Sequence, residues 1–208
     1  MKRLLLLILV CAAACRPSES VPKPRGYARI DLPAKHEYQR FEDPRFPFSF
    51  ELPLYGHTIQ DSSLLREHPE NPYWLNVEFP SLGASIYLSY NQIRNASDLG
   101  KLLEDAHFMS YYHSKRADYV KDKSFRNEFG VSGAAYEWGG ASASSYQFIA
   151  TDSIHNFLRG ALYFNVTPNA DSLKPAAEFL QADVEHMMKT VRFRQSGTPH
   201  QVVNSQPE

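Results

Sequence analysis

The sequence predicts an α+β fold: an antiparallel sheet with two helices packed on it. Three observations carry this. Short apolar stretches, most of them alternating with polar residues at period two, recur along the chain. Two segments carry the 3.6-residue period of an amphipathic helix instead. Strands come in blocks, and each block ends in one helix, which argues against a doubly wound nucleotide fold.

Phe46, Phe48, Phe50 and Leu52 alternate with Pro47, Ser49 and Glu51, the pattern of a half-buried strand. Tyr73, Leu75, Val77 and Phe79 repeat it, as do Ala84, Ile86, Leu88 and Tyr90, with Leu82-Gly83 as the hairpin turn between them. A helix follows, capped by Asn95 or Ser97, with Leu99, Leu102, Leu103, Ala106 and Met109 on one face. Ala134 to Trp138, Ser144 to Ala150 and Phe157 to Val166 are three more strands, the last two joined across Asp152-Ser153-Ile154-His155. Ala177, Leu180, Val184, Met187 and Met188 line a second helix with Pro175 in its first turn, where a missing N–H costs nothing. Thr190 to Phe193 forms a short closing strand. This element order resembles the PsbP-type sandwich.

The ends of the chain read differently. Lys2-Arg3, the apolar run Leu4 to Val10 and the small residues Ala12 to Ala14 form a signal peptide over residues 1–14. The run is too short to span a bilayer core of about 30 Å, which takes ~20 residues. A small residue before Cys15 suits lipoprotein signal peptidase, whereas Val10 before Cys11 does not. Cys15 is therefore the lipidation site, and its acyl chains, palmitate among them, anchor the chain in a membrane. The other reading is an ordinary secretory leader that leaves Cys15 as a free thiol. Residues 15–23 form a Ser-, Pro- and charge-rich tether, 24–194 a single α+β domain, and 195–208 a polar disordered tail. Arg16 follows the cysteine where an acidic retention residue would stand, which favours the periplasmic side of the outer membrane over the inner membrane.

A net charge of -1 offers no basic field for nucleic acid. With only Cys11 and Cys15 present, removal of the leader leaves no thiol for a disulfide, a zinc site or a nucleophile in the domain. His107 and His113 lie six apart and point in different directions, so they read as solvated side chains and not as metal ligands. Glu104 and Asp105 are neighbours that do not face each other on a helix. Ser142, Ser144 and Ser145 lack the G-x-S-x-G elbow, and Gly130, Gly133, Gly139 and Gly140 lack a phosphate-loop spacing. The reading is non-catalytic, with no metal and no cofactor.

Three ordered clusters remain. They are Pro22-Lys23-Pro24-Arg25-Gly26-Tyr27-Ala28-Arg29-Ile30-Asp31-Leu32-Pro33; Pro72 to Val77 with Ala84 to Tyr90; and Thr151-Asp152-Ser153, Phe157 to Phe164 and Asp171-Ser172-Leu173. In this order they strongly resemble the gliding-motility lipoprotein GldD family of the Bacteroidetes, along nearly the whole mature chain. The resemblance implies a role in gliding motility and in the type IX secretion on which gliding depends. It implies envelope proteins of that machinery as partners, in support of assembly or stability. It carries over no catalytic residue.

Five further residues stand out. Arg25 and Tyr27 lie in a Pro-stiffened stretch that either covers a sheet edge, the plainer reading, or meets a partner. Phe157 to Phe164 is apolar on both faces except for Arg159, so a central strand is expected, with Arg159 in a structural ion pair in preference to an anion site. Ser153 and Ser172 lie in Asp-Ser-apolar tripeptides that resemble O-glycosylation acceptors of this phylum and equally suit turns and caps. Asn95-Ala96-Ser97 and Asn165-Val166-Thr167 match the N-glycosylation sequon, which carries little weight in a bacterial envelope. The alternative function is an envelope enzyme or small-ligand binder with its pocket between sheet and helix.

Overall fold

The computed structural model describes residues 30–60, 66, 71–114, 117–140, 144–165 and 170–194. Its elements are β1 (Tyr38–Phe41), β2 (Phe48–Pro53), β3 (His57–Ile59), β4 (Trp74–Phe79), β5 (Ala84–Gln92), α1 (Ala96–Ser114), β6 (Ala117–Arg126), β7 (Ser132–Gly140), β8 (Ser144–Thr151), β9 (Asn156–Phe164), α2 (Ala170–Thr190) and β10 (Arg192–Phe193). Among the described residues no helix is long and apolar enough to cross a membrane.

Seven strands form an antiparallel sheet in the order β3-β4-β5-β9-β8-β7-β6. The chain runs β3 to β5 as a meander, crosses through α1 to the far edge, and returns from β6 to β9, which docks beside β5. The expected central position of the Phe157 strand is what the structure has. A second sheet of β1, β2 and β10 forms beside it, with Phe193 paired to Phe48. The Phe46 to Leu52 segment is thus a strand as expected, although it pairs outside the main sheet. The fold is α+β, with α1 on one face of the large sheet and α2 with the small sheet on the other.

The inner face holds the main core. Leu75, Val77 and Phe79 of β4, Ile86 and Leu88 of β5, Phe148 of β8 and Leu158 and Leu162 of β9 all point there and are buried. They meet Leu180, Val184 and Met187 of α2 and Phe48 and Phe50 of β2. Each fully buried ring or branched chain contributes roughly 1.5–3 kcal/mol relative to exposure. The outer face holds a smaller cluster in which Ala106, Leu99 and Leu102 of α1 cover Ile93, Ile149 and Phe157.

Caps and turns follow from local chemistry. Asn95 caps α1, its Oδ1 accepting the Asp98 N–H at 3.0 Å, which settles the choice between Asn95 and Ser97. Gly83 sits at φ 56° after the Pro80–Leu82 3-10 turn, so the β4–β5 hairpin closes where expected.

Two expectations are corrected, and three strands are added. Leu103 and Met109 of α1 are exposed, and Ser110 is buried in their stead, because the stripe facing the sheet is narrow and excludes both. Pro175 lies inside α2, whose first turn forms five residues earlier at Ala170. The strands β1, β3 and β6 had no counterpart in the sequence reading.

Candidate functional site

A polar cluster gathers on α2. Asp183 and His186 stand three residues apart on one helical face, toward β1, β2 and the residues that precede them. Asp183 is 1% exposed. His36 Nδ1 lies 2.7 Å from Asp183 Oδ1, the Tyr38 hydroxyl donates to the same oxygen at 3.1 Å, and the Tyr55 hydroxyl donates to Oδ2. The Tyr38 ring stacks on His186 at 3.6 Å, and His186 Nε2 lies 2.7 Å from Glu51 Oε2. His36 in turn stacks on Phe179.

Electrostatics keep both phenols protonated. Burial, followed by the charge of Asp183 and its hydrogen bond, pushes Tyr38 up to about 12. Burial and then the bond to Asp183 move Tyr55 upward as well. A buried carboxylate needs several donors to offset its lost hydration, and Asp183 has three from segments 128 to 147 residues away in sequence. The arrangement fastens the His36–Tyr38 segment and Tyr55 to α2. Sequence reasoning passed over it; the Asp183-x-x-His186 spacing was the one local signal.

A second arrangement lies on the outer face. Arg159 is half-buried in β9 between Ser89 of β5 and Ile149 of β8. Its Nη2 donates to Gln147 Oε1 at 2.8 Å, and that oxygen also accepts from Ser110 Oγ of α1 at 3.2 Å. The amide nitrogen of Gln147 has no hydrogen-bond partner among the described residues. The expected ion pair is therefore corrected: among the described residues Arg159 meets a neutral amide and no carboxylate. The strand that holds it is flanked by strands whose facing residues, Ser89 and Ile149, carry no charge. Burial lowers the proton affinity of the guanidinium below that of an ordinary arginine. Beside it Tyr87 and Tyr163 pack edge to face, their centroids 5.5 Å apart.

A cavity of about 230 Å³ opens between α2 and the ends of β6, β7 and β8, lined by Tyr119, Glu137, Tyr146, Glu178 and Gln181 among others. Burial acts to raise Glu137, but bonds from Lys121 and Tyr119 outweigh it and hold the carboxyl below the usual range. The Tyr119 ring lies against Gly139, where a Cβ would stand 2.0 Å from the ring.

The residues singled out from sequence scatter. Cys15, Arg25 and Tyr27 lie outside the described residues, as do Ser142, the signal peptide, the tether and the tail. Ser153 is exposed at φ 64° at the tip of the β8–β9 hairpin, while Ser172 is half-buried in the first turn of α2. Asp152 builds that hairpin tip, its Oδ1 accepting the N–H groups of Ile154, His155 and Asn156. His107 and His155 are exposed, as are Glu104 and Asp105. Among the described residues no group of three or more His, Cys, Asp or Glu side chains converges as a metal site would require.

An α+β sandwich whose main polar cluster is fastened inward is a class that many proteins share, and comparison narrows it. Residues 17–193 match the family described as gliding motility lipoprotein GldD, and the chain belongs to that family. It is accordingly a lipoprotein held to the cell envelope by lipid, with a role in gliding motility. No curated protein matches the chain. Among solved structures it is similar to the cyanobacterial PsbP protein (CyanoP) of Synechocystis, at 10% identity and a TM-score of 0.44, over 80% of this chain and 98% of that one.

Proposed function

We propose that the chain is a non-catalytic assembly or stability factor of the gliding apparatus and of type IX secretion, anchored through Cys15 and facing the periplasm from the outer membrane. The observation that carries this is the commitment of Asp183. This set of ionisable groups spends its donors and acceptors on joining distant segments. Such a set stiffens a body that holds partners, and Asp183, buried with three donors from its own chain, is poorly placed to serve a substrate.

Arg25 and Tyr27, beside the tether, are the first candidates for contact with envelope partners. A guanidinium and an aromatic ring dominate many interfaces. The test replaces both with Ala in the full-length lipoprotein. Loss of gliding and of secretion at normal protein level and normal melting temperature supports docking. A large fall in melting temperature means that the segment is structural cover, and the docking role fails.

The cavity beside α2 favours one second reading, a small-ligand binder. Filling it with Ala177→Phe separates the two. Motility survives this change if the chain is a scaffold and is lost if an occupant of the cavity is required.

A further inference from the structure

We propose that Arg159 is the docking point for a carboxylate side chain of an envelope partner protein on the outer face of the large sheet. This rests on the assembly reading and names the chemistry of one contact in it. A guanidinium carries five N–H donors in a planar fork that matches a carboxylate. Arg159 has one of them on Gln147 Oε1 and, among the described residues, no anion to balance its charge. A neutral amide does not repay the loss of hydration of a cation.

The fork is held in advance. Gln147 is fully buried, and its oxygen is fixed by Ser110 from the helix above as well as by Arg159. Toward β5 the neighbour directly across is the short Ser89, so among the described residues no long side chain stands opposite the guanidinium in that strand. Tyr87, one position along on β5 from Ser89, has two fifths of its surface exposed and packs edge-on against Tyr163. An arginine beside exposed tyrosine is the composition of an interface centre.

The charge count selects the partner. Among the described residues, the strand neighbours of Arg159 on this face, Ser89, Ile149, Gln147 and Ala161, bring no second cation. A phosphate group is ordinarily met by several cations, whereas one guanidinium suits one carboxylate.

The test places a photo-crosslinking phenylalanine derivative at Tyr87 of the full-length lipoprotein in intact cells. It compares the adduct in the parent with those in Arg159→Gln and Ser89→Glu. The second substitution supplies an internal carboxylate across the strand and leaves the buried groups in place. Both are expected to reduce the adduct about tenfold or more at unchanged protein level. In detergent, the Arg159 Nε–H resonance is expected to shift with a capped tetraglutamate peptide and not with tetraglutamine at equal ionic strength. An adduct indifferent to both substitutions overturns the proposal. So does an equal response to inorganic phosphate, or a shift of the resonance in Asp61→Asn, Glu67→Gln or Glu70→Gln, which would assign the carboxylate to this chain itself. Normal Arg159 variants beside a defective Arg25/Tyr27 pair would overturn this contact alone and leave the assembly role standing.

Discussion

Gly160 of β9 lies directly against the ring of Phe148 in β8: a Cβ at position 160 would stand 2.1 Å from Phe148 Cε1. The two residues are register partners at the centre of the large sheet, and Phe148 is fully buried. No side chain other than hydrogen fits without displacing the ring. Gly160→Ala is expected to cost about 1–3 kcal/mol through overpacking. Urea denaturation measures it as a lower midpoint with an unchanged slope.

Asp183 is the second pressure point. Asp183→Ala leaves His36, Tyr38 and Tyr55 without their acceptor and is expected to cost about 3 kcal/mol, the scale of a lost charged hydrogen-bond set. Tyr55→Phe removes one donor and is expected to cost about 1.5 kcal/mol. Equal losses in the two variants would refute separate contributions from His36 and Tyr38.

The pH dependence of stability has two limbs. On the acid side, burial raises Asp152, but bonds from Asn156 and three backbone N–H groups outweigh it and hold the carboxyl below 3.8. Its contribution is present above that ordinary value and is lost as pH falls through the lower folded value. On the alkaline side, Tyr38 titrates near 12 in the fold against 10.0 when free. Its contribution is whole below 10.0 and is lost as pH rises toward 12. Melting temperature against pH should therefore fall at both ends. Asp152→Ala should flatten the acid limb and Tyr38→Phe the alkaline one.

Cys15→Ser removes the thiol that would carry the lipid. An unlipidated precursor or a soluble periplasmic product is expected in place of the membrane-bound protein. Mass spectrometry of the parent checks the premise, since an N-terminus other than Cys15, or one without acyl mass, would refute it.

Strand β6 shows where the sequence reading stopped. Ala117–Arg126 is an edge strand exposed along most of its length, with Lys121 and Lys123 paired to Glu137 of β7 and Glu185 of α2, so no burial period was written into it. β1 and β3, at four and three residues, are too short to express a period at all. Met109 and Leu103 misled in the opposite sense, as apolar residues on a helix whose contact stripe is too narrow to reach them.

The sequence by itself determined what is local. Alternation along β4 and β5, the Asn95 cap, the turn at Gly83 and the apolar stripe of α2 depend on neighbours within a few residues, and so did the lipoprotein leader reading. The ordered clusters also carried the family. Only the tertiary structure decided the rest. Phe48 and Phe50 alternate identically whichever sheet they join, and β10, following directly on α2, captures β2 into the smaller one. His36 meets Asp183 across 147 positions, and Arg159 finds Gln147 where a carboxylate was expected. Partnership at that range follows from how layers stack, and a chain read residue by residue carries no physical record of it.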